Sequence, residues 1–409
     1  MVKKIRYFLE NHDKIVKVAI LSIYIVIVSV LIFIGLIEIK SRLDFRAVYN
    51  ASMLVYRTWN FELIYDYQLV KNMEFYRYFP FFTILFMPLI FLGESSAYLC
   101  LSIISIIASI FIVIEMNRFI QSRCKNPHVF MIYFLINFIT FGAYVMGNIV
   151  LISLLFVMLS LKFSIQGREK PSAFLLGISI IIKPIAIFTI LIYIFSFLFS
   201  RQIKRMLVFM IFLLLPMIPD ILLFTTNPRL IHAFINSSAS IDLRSTWYSI
   251  SAASFTYYAF SISFVVFSAI VFPIFLHRIK PILVDGKPHK EIAIFGFGAL
   301  FHFIFLIDIW FTQFAILLPF LILNYLMNPR IKWFIIKVLA LQVVAQIIAM
   351  DVAFVSIPLQ LLILILWFWI FIDSSNKLRQ CNGKKTGNPI HEQGDGQDGN
   401  EIQDLYALM

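Results

Sequence analysis

Long apolar runs separated by short basic clusters set the pattern of this chain. Runs of roughly 17–25 apolar residues, enough for a helix to cross a bilayer, lie near 16–37, 96–116, 127–145, 148–164, 206–224, 253–276, 291–307, 311–327, 333–350 and 357–373. Two stretches break the rhythm. Between Lys170 and Arg201 the apolar run is too long for one helix and is interrupted at Lys183-Pro184, which predicts two short helices meeting at Lys183. The stretch 79–92, opened by Phe79-Pro80 and closed by Gly93-Glu94-Ser95, is too short to cross comfortably and predicts a re-entrant or interfacial helix. The alternation of a transmembrane barrel strand is missing. The fold class expected is all-α: a polytopic integral membrane helical bundle with about twelve transmembrane helices.

Composition strengthens this reading. Hydrophobic residues make up 61% of 409, charged residues 14%, and the mean hydropathy is +0.90, which excludes a soluble multidomain protein. The formal charge of +12 sits in short clusters between apolar runs, so it reflects orientation in a membrane and no nucleic-acid partner is expected. With a cytoplasmic N-terminus and no crossing at 79–92, segments 1–17, 117–126, 162–170, 201–205, 277–290, 328–332 and the tail fall inside. They hold most of the 34 Lys and Arg residues. A crossing at 79–92 would invert every later loop. The division expected is 1–373, a transmembrane catalytic domain with external loops 38–95 and 225–252, and 374–409, a polar cytoplasmic tail without fixed structure. The expected location is the plasma membrane, multi-pass, with the active site on the external face. The apolar run Val16–Ile37 is too long for the core of a cleaved signal and reads as an anchor. Three cysteines in apolar or basic segments give no disulfide framework, and the seven histidines show no metal-ligand spacing.

Chemistry concentrates in the first external loop. It carries the carboxylates Glu38, Asp44, Glu62, Asp66 and Glu74, interleaved with cations and with aromatic residues such as Tyr49, Trp59, Tyr65 and Tyr78. That interleaving suits amphipathic helices lying in the interface. The residues then resemble a known family. Asp44-Phe45, Tyr49, Ala51, Tyr65, Tyr78-Phe79-Pro80 and Met87-Pro88-Leu89 are similar to the first external loop of GT-C superfamily membrane mannosyltransferases of the glycosyltransferase family 87 type. The likeness continues in order through Gly147-Asn148, Phe174-Leu-Leu-Gly177 ending in Lys183-Pro184, and Trp310 with Leu318-Pro319. Where the family has Gly-Gln this chain has Gly147-Asn148, and Thr312 and Gln313 stand where a histidine often follows the tryptophan.

The resemblance implies an inverting transfer of a hexose, with mannose the expected sugar. The implied donor is a polyprenyl-phosphate sugar and the acceptor a hydroxyl of a glycolipid or glycan, with membrane lipids as surroundings. A single in-line displacement needs one carboxylate to take the acceptor proton, and Asp44, just beyond the first span, fits that role. The plainer reading is a loop aspartate paired with Arg42 or Arg46. A lysine flanked by apolar residues, as Lys183 is, costs roughly 2.5–3.5 kcal/mol at a helix centre and asks for a partner. The donor phosphate is one candidate, with Arg77 assisting; snorkelling to the headgroups is the plainer account. Tyr49, Tyr78, Asn148, Trp310 and Gln313 are the expected substrate-binding residues, although aromatic belts place such rings too. The first loop has no Asp-x-Asp, so a divalent-metal requirement does not follow from the sequence, and no other cofactor is expected. A multi-span transporter or flippase of lipid-linked saccharides is the competing function; it predicts internal repeats and polar residues along several spans.

Overall fold

The structure, a computed structural model, describes residues 13–38, 42–66, 76–121, 142–239, 253, 256–257, 261, 263–285, 290–305, 311–327, 337–338, 341, 344 and 353–383. Among these residues every regular element is helical and no strand occurs. Helix α1 (Asp13–Ile37) leads to the amphipathic α2 (Leu43–Thr58), a 3₁₀ turn Glu62–Tyr65, the short α3 (Pro80–Ile90) and the long α4 (Glu94–Gln121). Helices α5 (Gly142–Met146), α6 (Val150–Ile165), α7 (Glu169–Ile182) and α8 (Ile187–Phe199) follow. Next come α9 (Ile203–Leu214), α10 (Ile218–Thr226), α11 (Pro228–Ala239), α12 (Phe264–Asp285), α13 (Lys290–Phe305), α14 (Leu318–Met327) and α15 (Ala353–Gly383).

Among the described residues, four helical stretches are long and apolar enough to cross a membrane: Glu94–Met116, Ile203–Thr226, Val265–Val284 and Pro358–Gln380. The protein is therefore an integral membrane helical protein. Leu21–Ile37, Pro80–Ile90, Val150–Ile165, Pro184–Phe199 and Phe314–Asn324 are apolar but shorter. The spans expected near 127–145 and 333–350 lie largely outside the described residues.

The break expected in 170–201 is present. Pro184 has no N–H to continue α7, and the residue before a proline is driven to extended backbone; Lys183 has φ −159° and ψ 130°. A 3₁₀ turn, Pro184–Ala186, then starts α8. Antiparallel α6 and α7 are held by hydroxyl pairs seven residues apart on each helix, Ser153–Ser179 and Ser160–Ser172, both at 2.8 Å. Small polar side chains let helices approach closely in a membrane. The missing side chain at Gly177 likewise lets α7 rest on the Leu213 carbonyl of α9.

Two helices run further than the sequence pattern suggests. Helix α12 continues past the expected end at 276, through the basic cluster of Arg278 and Lys280, because Ile279, Ile282 and Leu283 recur at helical spacing and are fully buried. Helix α15 continues past Ser374 to Gly383. There Ser374 donates to Asn324 Oδ1 at 2.6 Å and Lys377 pairs with Asp373 at 2.8 Å, so the polar residues are satisfied inside the helix and against α14.

Candidate active site

Three segments distant in sequence meet around Asn148. The first is the turn between α5 and α6. Gly147 has φ +66°, its N–H donates to the Tyr144 carbonyl at 3.2 Å, and the Asn148 N–H donates to the Ala143 carbonyl at 2.7 Å. These are the paired bonds of a Schellman motif, which ends α5 on a left-handed residue. A Cβ at Gly147 would lie 2.5 Å from Phe45 Cβ, so the glycine also lets α2 close on the turn. Gly147→Ala is expected to destabilise the fold by about 1–3 kcal/mol. The control is Gly167→Ala, which has φ +72° but open space around it. Thermal unfolding in detergent compares the two; an equal loss in both would refute the tight contact with Phe45.

The Asn148 side chain reads out this geometry. Its Oδ1 accepts from the Val150 N–H at 2.9 Å and from Lys183 Nζ at 3.0 Å, while its Nδ2 donates to Asp44 Oδ2 at 2.6 Å. Two donors on the oxygen and a carboxylate on the nitrogen fix the orientation of the amide. Asp44 and Lys183 are therefore joined through a neutral spacer, not paired directly.

Asp44 lies in the first turn of α2, where a helix N-terminus favours an anion. The plainer pairing with Arg42 or Arg46 is not seen. Arg42 is fully buried and donates to the carbonyls of Gly35 and Leu36, closing the end of α1, and its guanidinium lies 4.8 Å from the Tyr98 ring centroid. Arg46 pairs with Glu94 at 3.5 Å. Among the described residues, Oδ1 of Asp44 meets no donor, which leaves it able to accept a proton. Lys183 is half-buried, with its Nζ 5.9 Å from the Tyr78 ring centroid. Its carbonyl, freed by the helix break, accepts from Ser153 Oγ at 3.1 Å.

Tyr78 is delivered by the segment preceding α3. Tyr65 donates to the Tyr78 carbonyl at 2.8 Å, Tyr76 donates to the Phe79 carbonyl at 3.0 Å, and Ser237 donates to the Tyr76 carbonyl at 3.0 Å. Burial, with the charge of Asp220 as a lesser cause, raises the hydroxyls of Tyr65 and Tyr76 well above the ordinary tyrosine range, so both remain donors. Asp220, 1% exposed, accepts the Phe81 N–H at 2.7 Å and so holds the start of α3. In the sequence alone Asp220, at the outer end of an apolar run, reads as an interfacial aspartate. Its apolar flanks, Ile218-Pro219 and Ile221-Leu222-Leu223, were the available signal, the same one that singles out Lys183.

The remaining candidates divide. Arg77 is half-buried beside Tyr78. Tyr49 stacks on Phe45 with ring centroids 5.5 Å apart and reaches the Ile90 carbonyl at 3.4 Å; the structure does not join it to Asp44 or Lys183. Trp310 and the side chain of Gln313 lie outside the described residues, although the 3₁₀ turn Phe311–Leu317 packs on α5 and α6.

A half-buried carboxylate, a buried amide and a half-buried cation in a row, beside a tyrosine platform and among apolar helices, can bind a polar headgroup and move a proton. In the comparison with known proteins, residues 76–267 match a family model described as Glycosyltransferase family 87. No curated protein and no solved structure matches the chain. The matched stretch contains Tyr78, Asn148, Lys183 and Asp220, while Asp44 precedes it. The match supports glycosyltransferase activity in a membrane protein and favours it over the transporter.

Proposed function

We propose that this chain is an inverting, GT-C type glycosyltransferase that moves a hexose, mannose on the resemblance, from a polyprenyl-phosphate donor to a hydroxyl of a lipid or glycan acceptor on the outer face of the membrane. The observation that carries the reading is the Asp44–Asn148–Lys183 row, at 2.6 and 3.0 Å. Asp44 Oδ1 takes the proton of the acceptor hydroxyl as its oxygen bonds to the anomeric carbon. The bond from that carbon to the phosphate oxygen breaks, and its electron pair leaves with the polyprenyl phosphate. Lys183 meets the charge that develops there, which is where a fixed cation lowers a barrier most. Asn148 holds base and cation apart, so that neither neutralises the other. Tyr78 offers a ring face to the sugar.

The test is transfer by purified protein offered a panel of polyprenyl-phosphate sugars and nucleotide sugars. Use of a soluble nucleotide sugar as readily as a polyprenyl-phosphate one would overturn the donor assignment. Orientation is tested separately in a cysteine-free background. Ser96→Cys is expected to react with an impermeant thiol reagent applied from outside, and Lys204→Cys only after permeabilisation; the reverse pattern would place the site on the other face.

A further inference from the structure

The far end of the α6–α7 hairpin holds a second polar feature that the transfer reaction does not use. Helix α7 has 14 residues, so this end is roughly 20 Å from Lys183. A cavity of about 510 Å³ lies there, lined by Gly167–Pro171, Lys204, Arg205, Val208 and Phe209. We propose that it binds the phosphate headgroup of an anionic phospholipid in the leaflet opposite the candidate active site.

Two helix starts border this cavity, and both carry cations. Helix α7 opens with Glu169-Lys170 and α9 with Ile203-Lys204-Arg205, the latter with no acid in its first turn. Cations are disfavoured where a helix presents its positive end, and an anion between the two starts would offset both. Glu169 is already committed to Arg205. Lys170 is an exposed residue whose ammonium lies 5.6 Å from the Phe212 ring centroid, and among the described residues Lys204 has no ion-pair partner. Orientation bias alone accounts for cations on this side, but not for a cavity between them.

The lining identifies a lipid. Val208 and Phe209 form an apolar wall, and α9 continues as an exposed apolar face through Leu207, Val208, Ile211 and Leu214. A headgroup in the cavity therefore leaves its acyl chains along α9, whereas a free anion would have no use for that face. Basic pockets beside membrane helices recognise headgroups in this way.

Native mass spectrometry of the full chain in detergent, titrated with phosphatidylglycerol, phosphatidylcholine or inorganic phosphate, tests the site without reference to transfer. Phosphatidylglycerol should be retained about tenfold or more tighter than phosphatidylcholine. Lys170→Gln with Lys204→Gln should abolish that preference, Lys170→Arg with Lys204→Arg should keep it, and inorganic phosphate in millimolar excess should not displace the lipid. Equal retention of the two lipids, an unchanged preference in the Gln variant, or displacement by inorganic phosphate would each overturn the proposal.

Discussion

Asp44→Asn is expected to lower the transfer rate by about 10²–10⁴, the usual cost of losing a general base, while donor binding and folding stay close to wild type. The substitution is nearly isosteric. An amide at position 44 can still present an oxygen to Asn148 Nδ2, which now lies 2.6 Å from Oδ2, so the turn, the amide orientation and the Lys183 contact should persist. What disappears is a group able to take the acceptor proton. Single-turnover transfer from a polyprenyl-phosphate sugar, read beside donor affinity, separates these effects. Wild-type turnover in the variant would sink the assignment and move the base elsewhere, with Glu38 or Asp66 next. Both lie outside the Asp44–Asn148–Lys183 row, so that outcome would also deprive the three-residue row of its catalytic meaning.

The parts of this site differ in how far the sequence reveals them, and the reasons are physical. Lys183-Pro184 is legible because proline chemistry is local: it forbids helix continuation wherever it occurs, and the two short helices meet where that rule puts them. Asp44 and Lys183 stand out as charged groups beside apolar runs. Their link is not legible, because Asn148 is separated from them by 104 and 35 residues, and its amide acquires meaning only once Gly147 has turned the chain left-handed against Phe45. Asp220 shows the same limit. Its apolar flanks advertise a cost, but that it is met by the Phe81 N–H depends on how α10 packs on α3. The ends of α12 and α15 fail from the opposite cause. Hydropathy marks where apolar residues stop, whereas a helix stops where backbone partners run out; Ile279, Ile282 and Leu283, and the satisfied Ser374, carry these helices through polar sequence.

Lys183→Ala is expected to weaken donor use far more than Lys183→Arg. The lysine occupies the extended residue at the end of α7, its Nζ within hydrogen-bond reach of Asn148 Oδ1 and 5.9 Å from the Tyr78 ring centroid. Alanine removes the only charge of this arm of the row and leaves Asn148 Oδ1 with the Val150 N–H alone. Arginine keeps the charge and can still face a phosphate, but its planar fork has different hydrogen-bond geometry from an ammonium. Loss of a charged hydrogen-bond partner costs roughly 1.5–3 kcal/mol, about ten- to a hundredfold in kcat/KM. The comparison also separates chemistry from architecture. Were the lysine only a helix-end group snorkelling to the surface, Ala and Arg variants would transfer alike. A cycle adding Asn148→Ala sharpens this further: because the amide touches both Asp44 and Lys183, its removal should be non-additive with Lys183→Ala. Strict additivity, or unchanged donor affinity and rate in Lys183→Ala, would show that Lys183 does not meet the donor phosphate.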